Sequence, residues 1–175
     1  MHKKPEIIDV VSYFLKVRTL LILMPEKVED FGLALKKLEA LKKQFPKSKF
    51  MSVIRHNFST FVSKEQFETV YVLGPRDLTL FGLPRRSFLK NLLGSPYDLV
   101  IDFNNDFDIA TTYLCSRIDG KLKVCLSHPY REPFYNLQIR TKNSDSLDKK
   151  FNTLLKYLSI LAQPSPQARK NLIPA

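Results

Sequence analysis

Acidic and amide side chains follow two of the apolar runs in this 175-residue sequence, at points where a strand would end. They form two groups: Glu26, Glu29 and Asp30, and then Asn104, Asn105, Asp106 and Asp108. Facing carboxylates raise one another's pKa, so that one of them can serve as a general base, and carboxylate oxygens also bind cations. We therefore treat the two groups as a candidate ligand site.

The same residues also have a purely structural interpretation. Asp30 and Asp106 are predicted to begin helices, and acidic residues stabilise a helix N-terminus in any protein. The sequence leaves both interpretations open. They differ in whether the two groups face each other, which depends on the order of the strands.

Strands and helices alternate along the chain, which is the pattern of a parallel sheet. Apolar runs predict strands at 20–24, 49–54, 69–73, 97–103 and 121–126. A sixth strand is predicted at 134–139, at an edge of the sheet because Pro133 and Arg140 flank it. Helical spacing predicts helices at 5–18, 30–45, 84–93, 106–117 and 145–161, with a helical turn at 63–67.

We predict a single α/β domain at 1–162, with three layers, a Rossmann-like, mostly parallel sheet of five to six strands, and helices on both faces. It comprises an N-terminal helix at 5–18, a core at 19–140 and a C-terminal helix at 145–161. Residues 163–175 are predicted to form an irregular tail with three prolines. Right-handed crossovers give a strand order near 3-2-1-4-5. The two polar groups then flank a switch point, where such sheets bind ligands.

Motifs of several enzyme classes are absent from the sequence. The chain has five glycines and neither GxGxxG nor GxxxxGK[ST], which speaks against a dinucleotide enzyme or a P-loop NTPase. His2, His56 and His128 are too scattered for a metal motif, and no GxSxG supports a Ser-His-Asp triad. We therefore predict no cofactor and no metal site.

Charge and cysteine content bear on partners and location. The net charge of +11 fits an ordinary lysine-rich surface, or a surface that binds nucleic acid or an anionic membrane. Cys115 and Cys125 form no CxxC motif, which suits a reducing compartment. The sequence shows no secretory signal and no apolar run of the roughly 18 residues that span a bilayer. We predict a cytoplasmic protein, with a peripheral position at the inner membrane as an alternative.

Two stretches resemble the lipopolysaccharide heptosyltransferases, which are glycosyltransferases of two Rossmann domains. The first runs from Leu20-Leu21-Ile22-Leu23 through Glu29-Asp30 to a helix that ends in Phe45-Pro46. The second is the strand Tyr97-Asp98-Leu99-Val100-Ile101-Asp102-Phe103, similar to the family's Tyr-Asp-Leu-Val-Ile-Asp-Leu. The resemblance covers residues 19–127 and implies a glycosyltransferase-like fold.

The resemblance implies a catalytic role for Asp30, because the family's aspartate at that place is the base that deprotonates the acceptor hydroxyl. Two departures from the family pattern accompany it. Glu29 stands where the family has glycine, and Asn105, Asp106 and Asp108 stand where it has Gly-Asn and an arginine. The family's second domain binds the nucleotide-sugar donor, and the residues after Leu126 are too few to form it.

We therefore expect a half domain that is not catalytic alone and serves as a binding or interaction module. Its expected partners are a second copy, another protein, or a sugar or nucleotide-sugar ligand. Two alternatives stay open: an enzyme completed by a partner chain or dimer, with Asp30 as base, and a basic module that binds nucleic acid or anionic lipid. The chain also resembles short, uncharacterised proteins of Bacteroidota and related bacteria, which implies no function.

Overall fold

The computed structural model describes residues 10–163, with side chains from residue 12 onward. Its strands are β1 Thr19–Leu23, β2 Lys49–Arg55, β3 Thr69–Leu73, β4 Tyr97–Asp102, β5 Gly120–Leu126 and β6 Leu137–Ile139. They form one sheet in the order β3-β2-β1-β4-β5-β6, and every neighbouring pair is parallel. The predicted Rossmann-like sheet and its strand order are confirmed, and the sixth strand lies at an edge.

Helices cover both faces of this sheet, as predicted. The α-helices of the described residues are α1 Val10–Phe14, α2 Val28–Gln44, α3 Arg86–Leu92, α4 Ile109–Arg117 and α5 Leu147–Ala162. Short 3-10 helices lie at His56–Phe61, Pro75–Asp77 and Pro129–Arg131. The helices α1, α2 and α5 pack on one face, and α3 and α4 pack on the other.

The two central strands are buried on both faces. In β1, Leu20 and Ile22 join the core under α2 and α5, whereas Leu21 and Leu23 join the core under α3 and α4. All four side chains are fully buried. This double burial explains why the central strands read as uninterrupted apolar runs rather than as alternating ones.

The N-terminal helix is shorter than the sequence predicts. Residues 5–9 lie outside the described residues, and the described helix ends at Phe14 rather than at residue 18. The reason is the start of β1, where the carboxylate of Asp98 accepts hydrogen bonds from the backbone N–H groups of Arg18 and Thr19, at 2.8 and 3.0 Å. This contact fixes the chain in an extended conformation before the strand. Of the predicted tail, only Gln163 is described.

The turn predicted at 63–67 is present as a single hydrogen-bonded turn. A 3-10 helix that was not predicted follows β2 directly, where the ring of Phe58 stacks on Phe31 of α2 at 4.2 Å. One further prediction of helix position is wrong. The helix predicted from residue 106 begins at Ile109. Its N-cap is Asp108, whose carboxylate accepts a hydrogen bond from the Thr111 N–H at 2.7 Å.

Candidate functional site

The loops that follow β1 and β4 meet at the carboxyl edge of the sheet. These two strands are direct neighbours, with Leu23 beside Asp102. The Glu26 N–H donates to Oδ1 of Asn104 at 3.3 Å, and Lys27 forms an ion pair with Asp106. The strand order therefore places the two predicted groups of polar residues together. That they bind a ligand stays a prediction.

Asn105 links this edge to the last helix. Its Oδ1 accepts a hydrogen bond from Lys150 of α5 at 3.1 Å, and its Nδ2 donates to Asp106 at 3.0 Å. Asp106 is thus held by both Lys27 and Asn105. The hydrogen bond from Lys27 lowers the pKa of the Asp106 carboxyl. At neutral pH this carboxylate stays charged and paired.

Arg55, at the end of β2, binds two of the carboxylates. Its Nη2 lies 2.7 Å from Oδ2 of Asp108 and 3.7 Å from Oε2 of Glu26. The side chains of Arg55 and Asp108 are only 12% and 9% exposed, so water screens their contact weakly. Sequence reasoning did not assign Arg55 to the site, although its place at the carboxyl end of a strand is the signal that could have done so.

The surroundings of Arg55 shift the pKa values of its two carboxyl partners, Asp108 and Glu26, in opposite directions. Burial disfavours the charged form of Asp108, but the Thr111 N–H and the Arg55 guanidinium outweigh it and hold the pKa of Asp108 below its usual value. The hydrogen bond that Glu26 shares with Asp108, together with partial burial, raises the pKa of Glu26. Glu26 is therefore the carboxyl of this pair that takes up a proton more readily.

Asp30 differs from the other carboxylates of the edge. It lies half-buried in the first turn of α2, and its side chain forms no hydrogen bond or ion pair with a described residue. Burial raises the pKa of Asp30, and the nearby Lys27 opposes this effect. Glu29, one position earlier, is exposed. Asp30 thus combines partial burial with carboxylate oxygen atoms that no described residue binds.

A buried network lies beneath the loops. Oδ1 of the fully buried Asp102 accepts hydrogen bonds from the backbone N–H and the side-chain Nδ2 of Asn104, at 2.8 and 2.7 Å. Its Oδ2 accepts from the Tyr135 hydroxyl at 2.5 Å. Burial, with the charge of Asp102 beside it, raises the pKa of Tyr135, so this phenol remains a donor. Asn104 therefore connects the buried network to the loop after β1, because it binds both Asp102 and Glu26.

Arg131 completes this support from the loop after β5. Its side chain is fully buried, and its guanidinium donates to the backbone carbonyl groups of Asn104, at 2.7 Å, and of Asp106. The loops after β4 and β5 are thereby fixed to each other. Nothing in the sequence indicates this role, because an arginine in a polar loop normally lies in water.

Large apolar side chains are exposed around the same edge, in what we call the apolar rim. It consists of Phe61, Leu80, Phe81, Phe107, Ile109 and Tyr130. Leu80 and Phe81, 101% and 83% exposed, occupy a turn closed by Gly82, whose φ of 75° suits glycine. This turn lies against Ile109, which would be 3.6 Å from a Cβ atom on Gly82. Hydrophobicity alone does not distinguish these residues from core residues, so the rim could not be predicted from the sequence.

Two further observations concern the part of the chain from residue 10 to residue 163. No group of three or more His, Cys, Asp or Glu side chains within it is placed to hold a metal ion. No helix within it is long and apolar enough to cross a membrane.

Comparison with known families and structures supports the same architecture. Residues 3–161 match a family model described as a family of unknown function, DUF6913. The chain belongs to DUF6913. A search of curated protein sequences finds no match for this DUF6913 chain.

Solved structures similar to the DUF6913 chain include a glycosyl transferase and a heptosyltransferase. The glycosyl transferase family 9 protein from Veillonella parvula matches with a TM-score of 0.66 and 21% identity, over 81% of this chain and 41% of its own. Escherichia coli heptosyltransferase WaaC with ADP matches with a TM-score of 0.61 and 19% identity, over 79% of this chain and 46% of its own. The same enzyme with ADP-2-deoxy-2-fluoro heptose matches with a TM-score of 0.65 and 18% identity, over 90% of this chain and 55% of its own.

These likenesses establish the glycosyltransferase-like fold that the sequence resemblance implied. The DUF6913 chain spans about half the length of these structures, between 41% and 55%. Matches at identities of 18–21% establish the fold of this chain but not an activity.

Proposed function

We propose that this DUF6913 chain is a glycosyltransferase-like half domain that binds a partner across the carboxyl edge of its sheet and does not catalyse transfer alone. The observation that carries the proposal is the pairing of the edge carboxylates with cations of the same chain. Lys27 holds Asp106, and Arg55 holds Asp108 at 2.7 Å. A carboxylate whose pKa is lowered by such a pair is a poor base, so these residues act mainly to fix the loops.

The geometry of glycosyl transfer also supports a binding role. Transfer requires a donor and an acceptor held together in a cleft that excludes water, and a single sheet edge supplies one wall of such a cleft. The apolar rim surrounds this edge, with Leu80 and Phe81 almost fully exposed. Contiguous exposed apolar patches mark contact surfaces for proteins, membranes or ligands, and we propose that a protein covers this one. A second copy of the chain or a separate protein would supply the opposite wall.

The solution mass of the protein tests self-association through this edge. We expect a dimer by light scattering, and we expect Phe81→Asn to dissociate it without lowering the stability of the monomer, because this ring is 83% exposed. Leu15→Asn is the matched control, since Leu15 is 46% exposed near the opposite, amino edge of the sheet. A dimer that survives Phe81→Asn would contradict the assigned surface. A monomer at all concentrations would exclude self-association and leave a separate protein as the partner.

A second candidate function is a glycosyltransferase completed by a partner chain, with Asp30 as the base. The observation that favours it is the unpaired, half-buried carboxylate of Asp30, whose pKa burial raises towards the range useful for a base. Asp30→Asn should abolish turnover of the completed assembly and leave folding intact, whereas the control Glu29→Gln should leave both unchanged. Turnover that survives Asp30→Asn would refute this assignment.

Two wider predictions accompany the proposal. We propose a cytoplasmic location, which agrees with the free thiols of Cys115 and Cys125. Binding of nucleic acid or anionic lipid by the basic surface stays a prediction of the sequence. Its signature would be an affinity that falls steeply as salt is added.

A further inference from the structure

A polar groove of about 460 Å³ lies at the far edge of the sheet, where β5 and β6 end. Its lining comes from the two segments that follow these strands and consists of Ser127, His128, Pro129, Glu132, Gln138 and Arg140. None of these residues belongs to the switch point between β1 and β4. The volume is within the range of small-molecule sites, about 300–1,000 Å³.

Two opposite charges line this groove without pairing. Neither the carboxylate of Glu132 nor the guanidinium of Arg140 forms an ion pair or hydrogen bond with a residue between 12 and 163. Both are therefore available to a ligand. An arginine fork binds a carboxylate through two parallel hydrogen bonds, and a carboxylate binds an ammonium group. A ligand that carries both groups matches the pair.

The neutral polar groups of the groove add hydrogen-bond donors. Nδ1 of His128 accepts a hydrogen bond from the Tyr130 N–H at 3.3 Å, which leaves Nε2 as the ring donor. Oε1 of Gln138 accepts from the His128 N–H at 3.3 Å, which leaves its amide hydrogens free to donate. These donors suit the carboxylate end of a ligand and assist Arg140.

An aromatic surface adjoins the groove. The ring of His128 lies 5.9 Å from that of Phe107 and 5.5 Å from that of Tyr130. Tyr130 is 71% exposed and Phe107 is 40% exposed, so these rings present apolar faces to water beside a polar site. Such a surface favours a ligand with a flat or ring-shaped apolar part.

We infer that the groove is a binding site for a small zwitterion, namely a free α-amino acid whose side chain carries a ring. Arg140 binds the carboxylate, Glu132 binds the ammonium group, and the rings of Phe107, His128 and Tyr130 contact the side chain. The charged groups of the site lie apart from the switch point between β1 and β4, whereas Phe107 and Tyr130 also belong to the apolar rim. It goes beyond the proposed function and does not depend on it.

Calorimetric titration of the full chain with the twenty free amino acids tests this inference, with two analogues of L-phenylalanine as controls. 3-Phenylpropionate lacks the ammonium group, and phenethylamine lacks the carboxylate. We expect saturable binding of an aromatic amino acid, with each analogue about 10- to 100-fold weaker, because each lacks one charge-assisted contact. Absence of binding by all twenty, or equal binding by an analogue, would overturn the inference.

Variants of the two charged residues identify the site. In Arg140→Gln, phenylalanine should bind no more tightly than phenethylamine, and in Glu132→Gln no more tightly than 3-phenylpropionate. Both side chains are exposed, so these variants should keep the fold. Arg86→Gln and Glu65→Gln are matched controls at exposed positions outside the groove and should bind as the wild type does. A preference for phenylalanine that survives in Arg140→Gln would overturn the assignment.

Discussion

Replacing Arg131 with methionine should destabilise the whole carboxyl edge. The fully buried guanidinium donates to the carbonyl oxygen atoms of Asn104 and Asp106, and methionine keeps much of the volume but none of the donors. A hydrogen bond from a charged group contributes about 1.5–3 kcal/mol, so losing two costs about 3–6 kcal/mol. For a domain of this size, that lowers the melting temperature by about 6–24 °C.

Urea unfolding followed by circular dichroism measures this loss. Arg131→Lys should fall between the wild type and Arg131→Met, because an ammonium group keeps the charge but lacks the planar fork that reaches both carbonyl groups. The free energy of unfolding of Arg131→Lys also tests the contact if the methionine variant does not fold. Arg86→Met is the control at an exposed position and should change the free energy of unfolding by no more than about 0.5 kcal/mol. A loss below about 1 kcal/mol for Arg131→Met would refute the view that Arg131 fixes the two loops.

Three further predictions concern buried groups near the site. Tyr135→Phe removes the 2.5 Å hydrogen bond to the Asp102 carboxylate and should lower the free energy of unfolding by about 1.5–3 kcal/mol in urea. The pKa of Asp108 is lowered in the fold, so its contribution is present above the ordinary value of 3.8 and is lost as pH falls through the folded value. In acid titrations followed by circular dichroism, Asp108→Asn should therefore lose less stability below about pH 4 than the wild type does. Burial raises the pKa of the Cys115 and Cys125 thiols to about 12, so iodoacetamide at about pH 8 should modify them, by mass spectrometry, only after unfolding.

The sheet could be predicted because its signals are local. The central strands are buried on both faces and read as continuous apolar runs, and the crossover rule then sets their order. This strand order predicts the contact between Glu26 and Asn104, because residues that follow neighbouring parallel strands lie at the same edge of the sheet. Acidic residues near helix starts gave the approximate positions of α2 and α4.

The buried hydrogen bonds beneath the site could not be predicted because they join residues that are far apart in the sequence. Arg131 binds a carbonyl group 27 positions away, and Tyr135 reaches Asp102 across 33 positions. Nothing in the sequence distinguishes a buried loop arginine from an exposed one. The same limit explains the error at α4, where two aspartates could have been the N-cap and only the fold selects Asp108 over Asp106.

The effect of a nucleotide sugar on the melting temperature of the isolated chain tests the central claim most directly. The claim is that this edge is one wall of a site and lacks a donor-binding site of its own. It predicts no rise in melting temperature with ADP-heptose, even at high concentration. Binding at 100 times the dissociation constant would add about 2.7 kcal/mol of stability, or about 5–11 °C. A rise of that size would show that the chain binds a donor by itself, and would contradict the account.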